Sequence, residues 1–477
     1  MRRRRVLLRF ITISWMVLFY VLYMRYSDGR KRSLLHRSIN TVLDEVIMDH
    51  VVTRRASLKT SSEIHPRERG GSPGAIMTLQ SSLDCLTRGI WALDTKPTLL
   101  RFTKRKYQAY TFKPSCSSAL VTGNNAIAKL CSSLVAKQVL LVGPETTFHL
   151  HSLWLKALEG HENRSIHCLG PEFCTFHHVC KSMSAGSDAF AETEERFKKF
   201  PRKETLLATG SSILRYVRST TLYAGHSADD AAYTQPVVDP ETGVRVRNAY
   251  WLGHARKAHL IIMNRGPLPA PAWTYVNASF GGNWTFADNV YLNTSTAYIK
   301  DGDSFAIRIV NAALHATLTS FLPSTLHSLH VLEAHPIIRQ KILIWHSSWY
   351  RQAHCSGDGP SKSTAPSLLE DFTSPTILVD PWSLYYNAQV YMQNYLVQSL
   401  LPRYGIIYFP QGLPVAPIAE VIAANDRPAS GRNRRRAADC LLFPPSASYG
   451  KAMQDMLLTG LLHLVEETMV LRQPQAL

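Results

Sequence analysis

Acidic side chains are the scarce ones in this sequence: 35 Asp and Glu face 53 Lys and Arg, a formal charge of +18 over 477 residues. Half of that excess sits in residues 1–70, and the rest is spread thinly with no RNA- or DNA-binding motif to concentrate it. Nucleic acid is thereby discarded as a partner, and the charge better suits membrane topology and contact with anionic headgroups or acidic glycans. There is no internal repeat, which removes solenoids and propellers. The cysteines lack the close spacing of structural zinc sites.

One long apolar run is present. Residues 6–24, interrupted only by Arg9, are about the length that crosses a bilayer, and Arg2 to Arg5 precede them. No small-residue cleavage site follows, so the run reads as an uncleaved signal anchor, with residues 1–5 as a cytosolic tail. Arg25, Arg30, Lys31 and Arg32 flank the far side and blur the charge rule, but four sequons settle the orientation. Asn163, Asn277, Asn283 and Asn293 are glycosylation acceptors, which places the body of the chain in the lumen. Eight cysteines fit an oxidising compartment, their pairing left open. The layout is that of a single-pass type II Golgi protein.

Residues 25–78 are polar, rich in Ser and Arg, and read as a partly disordered stem with one helix near 38–52. From residue 79 to 477 the pattern predicts one lumenal α/β domain. Strands are expected at 138–143, 258–264, 340–346, 376–380 and 405–409, and helices at 148–159, 303–321, 384–401 and 451–470. Fully apolar strands alternating with amphipathic helices imply a parallel sheet covered on both faces. Residues 411–438 form a proline-rich then basic loop, in which Arg432-Asn433-Arg434-Arg435 has the form that Golgi processing proteases cut. A solvated loop is the plainer reading of that charge run.

The passage of greatest functional interest is Gln138-Val-Leu-Leu-Val-Gly143-Pro144-Glu145-Thr146. It predicts a buried strand, a tight turn and a helix, and in α/β enzymes such turns present ligands and nucleophiles at the carboxyl ends of strands.

In chain order, several segments resemble one family. Asp84-Cys85 through Trp91 and on to Cys116 is similar to the entry segment of the trichome-birefringence-like proteins. Leu140-Leu-Val-Gly143 resembles the strand before that family's Gly-Asp-Ser turn, and Ile261-Ile-Met-Asn264-Arg-Gly266 its asparagine block. Ile344-Trp-His346 through His354-Cys355 and Asp439-Cys440-Leu-Leu442 resemble its two later blocks. The family is the PC-esterase branch of the SGNH/GDSL hydrolases, which includes polysaccharide O-acetyltransferases. The resemblance implies an SGNH-like parallel sheet flanked by helices and a polysaccharide or glycan substrate or ligand.

A serine esterase needs a hydroxyl nucleophile, an imidazole base, a carboxylate to orient it and oxyanion donors. Here the aligned serine position holds Glu145, the aspartate position Pro144 and the histidine position Leu442, whereas Asp439 and Asn264 survive. Two routes stay open. Thr146 is a nucleophile in an offset turn, with His149, His151, His346 or His354 as base, or Glu145 acts as a general base near a sugar. Alternatively, Thr146 or Glu145 simply caps the helix and the site is catalytically dead. Asn264 is either an oxyanion donor or a turn residue. The run His167 to Cys180 holds three histidines and three cysteines, and disulfides and packing are preferred there to a metal. No cofactor is expected, and the acyl donor of an active enzyme is not legible.

Overall fold

The computed structural model describes residues 37–54, 73–87, 89–93, 98–99, 106–107, 110–115, 124–162, 177–180, 203–225, 237–238, 245–247, 250–271, 274, 283–288, 305–349, 381–410 and 458–466. The expected signal anchor at 6–24, the strand at 376–380 and the basic loop at 432–436 lie outside them.

Six strands form the main sheet: β1 (Gln138–Gly143), β2 (His177–Val179), β3 (Ser212–Arg218), β4 (Leu260–Met263), β5 (Ile342–His346) and β6 (Ile407–Phe409). Their spatial order is β6-β5-β4-β1-β3-β2. All neighbours are parallel except the edge pair β2–β3, so the fold is α/β with five parallel strands. The apolar runs predicted at β1, β4, β5 and β6 are strands, and every residue of β4, β5 and β6 is buried. That is what a sheet covered on both faces requires. Taking the parallel strands alone, the first in sequence lies between the second and third. This doubly wound order reverses direction at β1, the position at which open α/β sheets generally place their ligands, outside the carboxyl ends of the strands.

Helices α1 (37–54), α2 (Pro73–Thr87), α3 (Asn124–Ser133), α4 (Glu145–Glu162), α5 (Tyr250–Lys257), α6 (Phe305–Ala334), α7 (Pro381–Leu400) and α8 (458–466) build the layers. On one face Leu141, Ile262 and Ile344 meet Leu83, Leu130, Trp154 and Leu464 from α2, α3, α4 and α8. On the other, Val142, Met263 and Trp345 meet Trp251 of α5, Phe321 and Leu332 of α6, and Val397 of α7. Helix α1, inside the segment read as stem, inserts Leu43 and Val51 into a third layer with α6 and α7. Arg54 of α1 forms an ion pair with Glu333 at 2.9 Å, and Tyr391 donates to Asn40 at 2.7 Å.

Helix α6 is long and apolar enough to cross a membrane by length and composition, yet Ile309, Val310, Ala313 and Leu314 are fully buried against α7 and α1, so it serves as a core helix. The sequence pattern predicts a helix only to residue 321, and Pro323, which lacks a backbone donor, lies just beyond. Instead Thr317–Phe321 form a π-helical turn, in which Leu322 N–H reaches Thr317 O, and the helix runs on to Ala334.

Cys131 on α3 is disulfide-bonded to Cys180 just after β2. Cys180 belongs to the predicted His/Cys cluster, and the bridge takes its thiolate out of metal ligation. Cys168 and Cys174 lie outside the described residues.

Candidate functional site at the carboxyl end of the sheet

Gly143 ends β1, and Pro144 turns the chain into α4. Pro144 O accepts from Thr147 N at 3.0 Å and from Phe148 N at 3.3 Å, so Pro144 occupies the cap and Glu145, Thr146 and Thr147 form the first turn. The turn is held from two sides. Tyr216 of β3 donates its hydroxyl to Gly143 O at 3.0 Å and to Pro144 O at 3.2 Å, and Ser219 N donates to Gly143 O at 3.0 Å. A Cβ at Gly143 would collide with Thr147 Oγ1 and come within 2.8 Å of Asn264 O. Only glycine admits that approach.

The hydroxyl–imidazole pair at this turn is Thr147 with His346. Thr147 Oγ1 lies 2.7 Å from His346 Nε2, and His346 Nδ1 lies 2.9 Å from Ser347 O. A carbonyl only accepts, so Nδ1 carries the proton, Nε2 is the bare nitrogen and Thr147 donates to it. This is the tautomer of a general base, oriented by a carbonyl in place of a carboxylate. Both residues are fully buried. Burial pushes the His346 pKa down to about 4, against a smaller upward effect from the Ser347 carbonyl, so the ring is neutral near pH 7.

Thr146, the hydroxyl singled out in the sequence, is buried with its Oγ1 making no hydrogen bond, so it does not cap α4. One residue along a helix turns the side chain by roughly 100°, and Thr147 therefore meets β5 where Thr146 does not. Glu145 is the first residue of α4. Asn264, at the carboxyl end of β4, donates from Nδ2 to His346 O at 2.7 Å and to Ser348 Oγ at 3.2 Å. Both amide hydrogens are engaged in holding the 346–348 loop, leaving none aimed at an oxyanion in this arrangement. Asn394 of α7 braces the same loop, accepting from Ser348 N at 2.9 Å and donating to Ser348 O at 3.1 Å. His149 and His151 are buried along α4, the first stacked on Trp349 and the second on Phe148. Asp439, Leu442 and His354 lie outside the described residues.

Thr147, Ser348, Tyr216 and Asn394 were not legible as site residues. Only Thr147 carried a signal, a second hydroxyl beside the first. Among the described residues no group of three or more His, Cys, Asp or Glu is placed to hold a metal.

Of the four sequons, Asn283 falls within the described residues. It is exposed, and its Oδ1 accepts from Thr285 N, the threonine of its own sequon, at 3.3 Å. If the chain passes through the secretory pathway, replacing Asn283 with Gln is expected to raise its gel mobility by one glycan, and endoglycosidase should erase the difference. Equal mobility before deglycosylation would mean that the site is not used.

No family model matches this chain, and no curated protein matches it.

Proposed function

We propose that this chain is a lumenal, membrane-anchored glycan-binding or accessory protein related to polysaccharide O-acetyltransferases, in which a buried structural lock stands where serine-type chemistry would be. The carrying observation is the Thr147–His346 pair. It has the polarity of a nucleophile and its base, yet neither residue is accessible to a substrate. The switch-point location, the Gly143 turn and the asparagine after β4 support descent from an SGNH-like hydrolase. Glu145 at the serine position and Leu442 at the histidine position support loss of the hydrolase triad.

A second reading draws on the tautomer. If α4 or the 346–348 loop moves to admit substrate, Thr147 is already hydrogen-bonded to an unprotonated nitrogen and can act as an acyl-accepting nucleophile. Thr147→Val separates the two. It keeps the shape, removes the hydroxyl and leaves His346 Nε2 unsatisfied, at a cost of about 1–3 kcal/mol in unfolding free energy. In cells lacking the wild-type gene, Glu145→Ala, Thr146→Ala, Thr147→Val and Asp439→Ala are all expected to sustain polysaccharide O-acetylation at the wild-type level. Loss of acetylation in Thr147→Val protein that still folds and reaches the lumen would establish the threonine-enzyme reading instead.

A further inference from the structure

Behind the Thr147–His346 pair, on the opposite face of the sheet, lies a second polar group with no role in that lock. Arg265 follows Asn264 at the carboxyl end of β4 and is 3 % exposed. Its Nη1 donates to Thr221 O at 3.2 Å, its guanidinium sits 5.4 Å from the centre of the Phe321 ring, and its Nε has no hydrogen-bond partner. The ion pair found among the described residues, Arg54 with Glu333, is elsewhere, so no carboxylate of theirs compensates Arg265. Burial lowers this guanidinium only to about 10, which leaves it charged at neutral pH. An isolated buried charge is among the costliest things a fold can keep, and buried charges are ordinarily paired.

Two further orphans share this face. Met263 of β4 and Val217 of β3 belong to the same core cluster as Phe321, and two residues further on, strand alternation puts Arg265 and Ser219 on the same side of the sheet. The register sets them level with each other on either side of Pro144. Ser219 is 4 % exposed and its Oγ is unpartnered. Thr325, one turn beyond Phe321 on α6, is 3 % exposed and its Oγ1 is likewise unpartnered. Ser328 on that helix holds the loop beside them by donating to Leu222 O at 2.7 Å. A guanidinium fork with two hydroxyls is the donor set that recognises an oxyanion. Buried donors without partners call for an explanation, and a bound anion is one that would satisfy all three groups.

We propose that Arg265, Ser219 and Thr325 form an oxyanion-binding subsite on this second face of the crevice, taking a carboxylate, sulfate or phosphate group of the ligand. The subsite stands on these residues whether or not the crevice takes a glycan. Thr147→Val and Arg265→Met act on opposite faces of the sheet, so either can fail without the other.

The test is thermal unfolding of the purified full-length chain in detergent, titrated with glucuronate, sodium sulfate or sodium phosphate. Glucose and sodium chloride at matched ionic strength serve as controls. At least one oxyanion is expected to raise Tm saturably, and Arg265→Met is expected to abolish the rise. A response to glucuronate alone assigns the subsite to a sugar acid, whereas a response to the inorganic anions alone assigns it to a free anion. Without anion, Arg265→Met should melt no lower than wild type, because it removes an uncompensated charge. Arg265→Lys keeps charge without the fork and should shift half-saturation by about tenfold. A Tm that tracks ionic strength only, or an equal rise in Arg265→Met, or a marked drop in basal Tm on that substitution, overturns the proposal and leaves Arg265 as a tie to Thr221.

Discussion

Replacing Cys131 and Cys180 together by alanine is expected to lower the unfolding free energy by about 4 kcal/mol. The bridge closes a sequence separation of 49 residues. In the chain-entropy account, a loop of that length withholds about 4 kcal/mol of disorder from the unfolded state. It also fastens β2, a three-residue antiparallel edge strand, to the body of the domain through α3. Short edge strands are held by few ladder hydrogen bonds, so β2 should be the first element to lose amide-exchange protection in the variant. Equilibrium denaturation with exchange mass spectrometry reads both quantities. A change below about 1 kcal/mol would mean that the unfolded chain is already constrained in this region.

Acidification is expected to destabilise the protein through His346 by about 3 kcal/mol between neutral pH and pH 4. The sign follows from where the proton is taken up. The folded pKa is depressed to about 4 from an ordinary value of 6.5, so between those values the unfolded chain binds the proton and the native ring refuses it. The stability is fully present above pH 6.5 and falls away as the pH drops toward 4. His50 and His330 are also depressed, in both cases chiefly by burial, and add slopes of the same sign. The difference between wild type and His346→Gln therefore isolates the site. Equal pH slopes in the two proteins would show that the ring is not held neutral, and the lock with it would be lost.

Much of the sheet was readable because β1, β4, β5 and β6 are uninterrupted apolar runs, the pattern of strands buried on both faces. Strand β3 was not readable. Arg215 and Arg218 break its run, although Arg215 is accommodated by laying its Nη1 2.7 Å from the ring nitrogens of His254 on α5. The extension of α6 past Pro323 depended on a π turn, which no local periodicity encodes. At the site, Gly143 and the strand–turn–helix could be found locally, whereas the partner of the hydroxyl could not. Thr147 and His346 are 199 residues apart, and parallel neighbours meet only through crossovers. Offsetting the turn by one position points to Thr146, one residue short of the hydroxyl that meets His346.

Gln80 of α2 accepts from Tyr408 N at 2.9 Å and donates to Tyr408 O at 2.7 Å, occupying with one amide the positions a neighbouring strand would use on β6. An open edge of that kind invites another chain to extend the sheet. Because residue 80 is made long before residue 408, a growing chain finishes this rim of the sheet late and closes it with a segment already made. Self-association through this edge during biosynthesis is therefore confined to the interval between emergence of β6 and docking of α2, and a Gln80→Ala chain would carry that vulnerability permanently.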